Sequence, residues 1–455
     1  MLDRGCYGLE RREKAVGVGG GISGKLAARV LADFFKEVII LERDAEAQGP
    51  LPRKGAPQGE HIHALLFAGA NGLEELFPGI TEKFNASGAV KINATKDIAW
   101  FHHGVWKLRY DGEYATILQT RPHLEWLLEQ YIKKIPNVTI QYSRRVSNFL
   151  YNEKENRMTG VEIRDGSDSI TLHADLIVDA SGVSSLSSRW LRKRGVPIPE
   201  EKVSIDLCYF TKTIELPDNP DRDWAIKLVY PNPPSEKIGG GISKVEGNRY
   251  LVTFMGYHNE INEKEVRKSD ANFIDIAKQL PKLDLYHELQ DATALSSTST
   301  FRVPNITWRR FDKVSKFPNG LLTIGDTICR IDPFFGQGMS IAVLEALALK
   351  KLLANRDRST QHLVDRFHRE VRKIISPIWN MVLTEDFRYP ETVGRKPAGL
   401  SIQQWYAKNI FLLSSEHKGT YNSFIQVMHL LRPTSTLMHP SIIKNVWKRK
   451  FIHKR

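Results

Sequence analysis

The sequence predicts an α/β fold. A parallel-sheet unit is assembled from separated segments, a β-sheet domain is inserted into it, and the C-terminal region is helical. Three observations predict this. Lys14 to Glu42 reads as a strand, a glycine-rich turn, a helix and a second strand ending in an acid. Two later apolar runs, Leu172 to Val178 and Leu321 to Ile324, each end in a loop that carries an aspartate. Between those runs β-like segments dominate from Val203 to Phe254, and beyond Thr360 the spacing is mainly helical.

The first unit carries the most chemistry. Gly19, Gly21 and Gly24 fall in the G-x-G-x-x-G spacing. Gly19 permits the tight turn, Gly21 lets the backbone approach a pyrophosphate, and Gly24 lets the helix pack closely on the strand. The helix N-terminus then offers free N–H groups and a positive dipole end to phosphates. The apolar run Val38 to Leu41 ends at Glu42 and Arg43. An acid about 20 residues after the glycines is where a carboxylate hydrogen-bonds an adenosine ribose. A purely structural glycine turn is the competing reading, and the strand, helix and acid in register argue against it. Gly17 sits in the first strand, where a β-branched residue packs better.

The following elements are read in order. Arg53 to His63 is a polar loop rich in Gly and Pro, and His63 to Phe77 has helical apolar spacing. Trp100 to Leu118 alternates as strands do. Arg121 to Ile135 is a helix opened by Pro122 near its first turn. Val138 to Tyr142 and Met158 to Ile163 are strands. Leu172 to Val178 is a buried-type strand running into Asp179-Ala180-Ser181-Gly182, and helical stretches follow the β-rich segment as far as Leu289. Leu321 to Ile324 delivers Gly325-Asp326, whose carboxylate suits a sugar or ribityl hydroxyl. Pro333 follows, then Gly336-Gln337-Gly338-Met339 opens a helix over Ser340 to Leu353. Gly336 and Gly338 let backbone pass close to a flat ring, and the helix points its positive end at negative charge on that ring. An ordinary strand–loop–helix crossover is the plainer alternative.

Composition excludes several classes. The 455 residues are 41 % hydrophobic and 26 % charged, ordinary for a soluble protein and long enough for two or three lobes. No apolar stretch is long enough to span a bilayer, and Met1 to Lys14 lacks the apolar core of a secretory signal. Cys6, Cys208 and Cys329 are scattered, which fits a reducing compartment. No His/Cys cluster with ligand spacing argues for a metal. The net charge of +13 suits solubility, an anionic cofactor or an acidic membrane surface; no nucleic-acid-binding motif accompanies it. At the C-terminus Lys444, Lys448, Arg449, Lys450, Lys454 and Arg455 interleave with Ile442, Ile443, Val446, Trp447, Phe451 and Ile452. That mixture fits either a short interfacial helix with peripheral membrane contact or a frayed basic tail.

These motifs resemble those of the FAD-dependent monooxygenases built on the para-hydroxybenzoate hydroxylase fold. The N-terminal glycines, the Asp179 motif and the Gly325-Asp326…Pro333…Gly336 motif stand in that family's order and wide separation. The resemblance implies a Rossmann-like FAD-binding domain from residues 1–60, 119–200 and 301–355. It implies a β-sheet substrate domain from 61–118 and 201–300, and a C-terminal helical region over 356–455. The loop from Arg53 to His63, with Glu74-Glu75-Leu76-Phe77-Pro78-Gly79, is similar to a loop of the bacterial polyether flavin epoxidases. By that resemblance Arg53, Lys54 and Gln58 contact FAD, His61 or His63 faces the flavin region, and Arg121 reaches the phosphate side. A hydrogen-bonded structural histidine and a helix-surface arginine are the alternatives. Asp179, Gly182, Gly325, Asp326, Pro333, Gly336, Gly338 and Met339 complete the expected cofactor contacts.

The sequence also departs from the family. Aromatic hydroxylases of this fold show D-G-x-x-S in the middle motif; Asp179-Ala180-Ser181-Gly182 looks more like alkene epoxidases, prenyl reductases and halogenases. Epoxidase relatives often carry Arg after that glycine, where this chain has Val183. The halogenase W-x-W-x-I-P signature is absent. No second glycine fingerprint exists for NADPH or NADH, which in this family docks transiently as the electron donor. The implied activity is a cytoplasmic NAD(P)H- and O₂-dependent monooxygenase. Acting through a flavin C4a-hydroperoxide, it epoxidises or hydroxylates a lipophilic alkene or aromatic small molecule, with no side chain required as oxidant. Substrate-side candidates are His61, His63, Tyr209, Phe334 and Phe335, with Phe210, Tyr230, Phe254, Met255 and Tyr257 on the β-rich segment; core packing is the alternative for aromatics on strands. Two other readings stay open: an FAD-dependent prenyl reductase, and a non-enzymatic prenyl-binding protein on the same fold.

Overall fold

Five short strands from four distant stretches of chain form one parallel sheet. Its order is Leu321–Thr323, Leu176–Asp179, Arg12–Val18, Phe35–Leu41 and Val138–Gln141, and every pairing is parallel. The computed structural model describes residues 11–165, 168–355 and 360–452. Parallel strands are buried on both faces, which is why Val38 to Leu41 is apolar at every position. The helices Ile22–Leu31, Arg121–Ile132 and Gly338–Leu353 pack together beside this sheet. Gly24 sets the closest approach: a Cβ there would lie 1.9 Å from the Gly19 carbonyl oxygen.

The run read as one strand from Leu172 to Val178 is two. Asp168–His173 belongs to a three-stranded antiparallel sheet with Arg145–Asn152 and Arg157–Asp165, and only Leu176–Asp179 joins the parallel sheet. Asp175 makes the corner. Its carboxylate accepts the Lys14 N–H at 3.0 Å and its own N–H donates to the Lys14 carbonyl at 2.9 Å.

A second, larger sheet holds nine strands. Its spine runs Ser299–Arg309, Glu200–Glu215, Arg249–Gly256, Ile238–Val245, Ile226–Val229 and Ile98–His102. The strand to Arg309 carries this sheet past the boundary expected at residue 300. One face buries Phe210, Ile242, Val252 and Phe254 with Phe273 and Leu285 from short helices. The helix expected from His63 begins only at Phe67, because Leu66 stays extended. Helix Phe67–Leu76 then lies on Gly338–Leu353, where Gly69 and Gly72 leave room for Ser340 and Val343.

Four helices, Thr360–Asp386, Leu400–Leu413, Lys418–Met428 and Pro440–Ile452, close the structure. Ile442 and Val446 of the basic C-terminal helix are buried with Ile410, Tyr421, Phe424 and Ile425. The helix therefore uses part of its apolar side on its own protein, while Lys444, Trp447 and Lys448 are exposed. Lys454 and Arg455 lie outside the described residues. Among the described residues no helix is long and apolar enough to cross a membrane.

Candidate functional site

Two uncapped helix N-termini converge on one cavity of about 540 Å³. The first belongs to Ile22–Leu31, whose N-cap is Gly21; the second belongs to Gly338–Leu353, whose N-cap is Gln337; neither receives a side-chain cap. Free N–H groups of both first turns thus remain for a ligand, and both dipoles favour negative charge there. Gly19, at φ 104°, makes a turn that L-residues with side chains rarely adopt.

The cavity brings together most of the residues expected from sequence. Gly19, Gly21, Glu42, Arg43, Arg53, Gln58, His61, His63, Arg121, Gly182, Asp326, Pro333, Gly336, Gly338 and Met339 line it. At one end Glu42 is anchored: its Oε2 accepts the Gly20 N–H at 2.7 Å and its Oε1 accepts the Asp44 N–H at 2.8 Å. Arg53 is clamped by Glu42 at 3.3 Å, Asp44 at 3.2 Å and Glu125 at 3.0 Å, and Arg121 pairs with Glu125 at 2.8 Å. Burial pushes the Glu125 carboxyl up, but the charges of Arg121, Arg53 and Lys25 outweigh it and hold the group down at about 2. The acid thereby fixes two arginines at the cavity wall.

Four expected contacts stand elsewhere. Asp179 is fully buried, and its two oxygens accept the Ser181 and Ser187 N–H groups at 2.9 and 2.7 Å; it shapes the loop that presents Gly182. Gly325 lies behind the cavity at φ 68°, its N–H donating to Glu345 at 2.7 Å. Gly24 is spacing between helix and turn. Lys54 is exposed and off the lining, because the clamp turns Arg53, not its neighbour, inward.

Sequence reasoning missed Arg144, Arg145, Arg189 and Arg330 on this wall. Arg330, placed between the apolar residues Cys329 and Ile331, was the one visible signal; its guanidinium lies 5.3 Å over the Phe301 ring.

A second cavity of about 680 Å³ opens beside the first. The two share Ile62, Tyr209, Pro333 and Gly336. Phe334 and Phe335 line only the second, and the Tyr230 ring stands 4.2 Å from Phe334. Of the aromatic and Met candidates on the large sheet, Tyr209, Tyr230 and Met255 line it. Phe210 and Phe254 face the other side, in the core, and Tyr257 is buried with its hydroxyl donating to Asp332 at 2.6 Å. His61 and His63 belong to the first cavity. Burial lowers them to about 3 and about 4, with His63 and Arg121 respectively adding to the effect, so both rings are neutral. The far wall comes from the C-terminal helices, including Met381, Tyr406, Phe411 and Phe424. No motif announces these residues.

One polar cluster sits at that wall. His102, His103 and Glu385 bring one ligand atom each within 4.8 Å of one another. Arg388 already holds both Glu385 oxygens, at 2.7 and 2.8 Å, and Lys107 stands close behind. The Arg388 charge on both Glu385 oxygens opposes a metal ion at this place, and the cluster ties the sheet edge to the helical region.

The chain matches the family described as FAD binding domain over residues 14–381. It is 27 % identical over 412 residues to protein Rv3254 of Mycobacterium tuberculosis, covering 87 % of this chain and 85 % of that one. It is 24 % identical to kynurenine 3-monooxygenase of Salinispora arenicola, over 77 % of this chain and 74 % of the relative. Among solved structures, p-nitrophenol 4-monooxygenase PnpA from Pseudomonas putida superimposes with a TM-score of 0.67 at 18 % identity, over 93 % of this chain and 99 % of that one. The flavin-dependent brominase Bmp2 gives 0.65 at 14 %, over 96 % and 99 %.

Proposed function

The chain belongs to the FAD binding domain family and is a flavin-dependent oxidoreductase of the monooxygenase class; from that premise we propose that it epoxidises or hydroxylates a lipophilic alkene or aromatic small molecule. The observation that carries this reading is the junction of the two cavities at Ile62, Tyr209, Pro333 and Gly336. A redox ring held against Gly336 would meet, through one opening, a molecule held in the apolar chamber.

The first cavity suits FAD in its parts. Glu42 and Arg43 would hold the ribose, the turn at Gly19 and Gly21 with the first uncapped helix the pyrophosphate, and Asp326 the ribityl chain. Gly336, Gly338 and Met339, at the second uncapped helix, would hold the flat ring. FAD, when bound there, would supply the redox chemistry between NADPH or NADH and O₂. The chain's own residues do the rest. The N-terminus of Gly338–Leu353 stabilises negative charge at the ring edge. Phe334, Tyr230 and Met255 exclude water and pack the second molecule against the opening. The likeness of the Arg53 to His63 loop to that of the polyether epoxidases rests on its sequence, and the loop walls the first cavity. A cytoplasmic enzyme is part of the same reading.

The net reaction is substrate plus O₂ plus NAD(P)H plus a proton, giving the oxygenated product, water and NAD(P)⁺. FAD-loaded protein turned over under ¹⁸O₂ with a panel of aryl alkenes and phenols tests it by mass spectrometry. One labelled oxygen in the product supports the reading. Product formed without O₂, with two hydrogens added across a double bond, replaces it with a prenyl-type reductase.

A further inference from the structure

We propose that His429 is a hydrogen-bond donor inside the apolar chamber, and that it selects a substrate carrying an acceptor oxygen, a carbonyl or an ether, over a pure hydrocarbon. This rests on the reading of the chamber as the substrate's site.

The argument begins at the start of helix Phe67–Leu76. Leu66, its N-cap, offers no side-chain oxygen. The first N–H groups are taken by His429 instead: Phe67 N–H donates to His429 Nδ1 at 3.4 Å, and Ala68 N–H donates to the His429 carbonyl at 3.2 Å. The Phe67 ring stacks on the imidazole with centroids 4.1 Å apart. An imidazole nitrogen that accepts a backbone N–H carries no proton, so in the neutral ring the proton is on Nε2. Burial lowers the group to about 3, so the ring is neutral at ordinary pH. Nε2–H is then a donor of fixed identity, with no hydrogen bond to another described residue, on a side chain that lines the chamber.

Position adds to identity. The preceding residue, Met428, accepts the side-chain N–H of fully buried Gln337 at 3.3 Å. His429 is thereby tied to the Gly336–Gly338 turn, where the two cavities meet. Tyr230, beside Phe334, adds a hydroxyl to the same lining. A hydrocarbon leaves a desolvated donor unsatisfied, whereas an acceptor oxygen satisfies it; the difference amounts to roughly fivefold to a hundredfold in affinity.

The test compares 1-acetylnaphthalene with 1-ethylnaphthalene by calorimetry on FAD-loaded protein. They share a framework, and only the ketone has an acceptor. The ketone should bind the native protein at least fivefold more tightly. His429→Gln, which can accept from Phe67 and still donate into the chamber, should keep that ratio. His429→Leu should lower that ratio about threefold or more without weakening 1-ethylnaphthalene, and an unchanged ratio would assign the preference to other donors of the lining and overturn the proposal. A measurement on the native protein needs no stable variant: ¹⁵N-histidine NMR should show the His429 proton on Nε2, with a shift on adding ketone only. Equal affinities, no measurable ketone binding, or a proton on Nδ1 overturns the proposal. FAD content and O₂-dependent NADPH oxidation of the same preparation separate the two readings. Normal values with a ratio of one sink the anchor alone. Their absence with the ratio intact sinks the oxygenase reading and leaves the anchor.

Discussion

The two cavities are built by opposite means. The first is made from backbone at glycine turns, two helix ends and charged side chains held in a carboxylate clamp. The second is made mainly of apolar side chains, drawn from residues as far apart as Ile62 and Met438, with a few polar groups among them. Backbone geometry demands particular residues at particular spacings, whereas an apolar wall demands only volume. The first cavity is therefore fixed in what it binds, and the second can be retuned residue by residue.

The sharpest way to break this contrast is at Gly24. A Cβ 1.9 Å from the Gly19 carbonyl oxygen forces helix and turn apart. Gly24→Val should abolish FAD retention, read as the FAD-to-protein ratio after gel filtration; a normal ratio would mean that the turn does not govern the cavity. Next comes the clamp. Arg53→Ala leaves Glu42, Asp44 and Glu125 facing one another with little solvent, and should cost about 3 kcal/mol of stability by urea denaturation, with weaker FAD binding.

A chamber substitution should behave differently. Phe334→Ala should leave FAD content unchanged and lower kcat/KM for the oxygenated substrate about tenfold, since only the second cavity loses a wall. Equal loss of FAD would merge the two sites into one.

Glu345 gives a smaller effect that depends on pH. Burial raises its carboxyl to about 8 while it accepts the Gly325 N–H. In the unfolded chain a Glu ionises near 4.3. Between those values the folded state binds one more proton, so stability is full below the unfolded value and is lost as pH rises toward 8. Glu345→Gln should match the native melting temperature at pH 5 and exceed it at pH 8. The smallest effect belongs to Lys54→Ala, which should change FAD affinity less than twofold, because the side chain is exposed and off the cavity.

Legibility in the sequence follows the same division. The strand–turn–helix at Lys14 to Glu42 and the Gly336–Gly338 turn are local, and each expected element stands where the spacing put it. Asp179 misled because a motif aspartate can act by holding a loop as well as by touching a ligand; its two backbone partners are distinguishable only in three dimensions. The break at Asp175 was invisible for a related reason, since it depends on Lys14 in another strand. His429 carried no signal at all. It matters because Phe67, distant in sequence, begins a helix without a cap of its own. The aromatics of the large sheet divided by face, and alternation alone did not say which face was the chamber's.

The order of these residues along the chain also sets an order in time. Every residue lining the first cavity precedes Leu353, the end of the helix that points at it. The chamber is incomplete until Thr434, Leu437 and Met438 have been made and folded back. A ribosome working from the N-terminus therefore finishes the nucleotide's seat while the reaction vessel still lacks a wall. The helix Thr360–Asp386, whose Val364, Phe367 and Val371 are buried in the core shared with the parallel sheet, must join before that seat is stable, and the last chamber wall follows it.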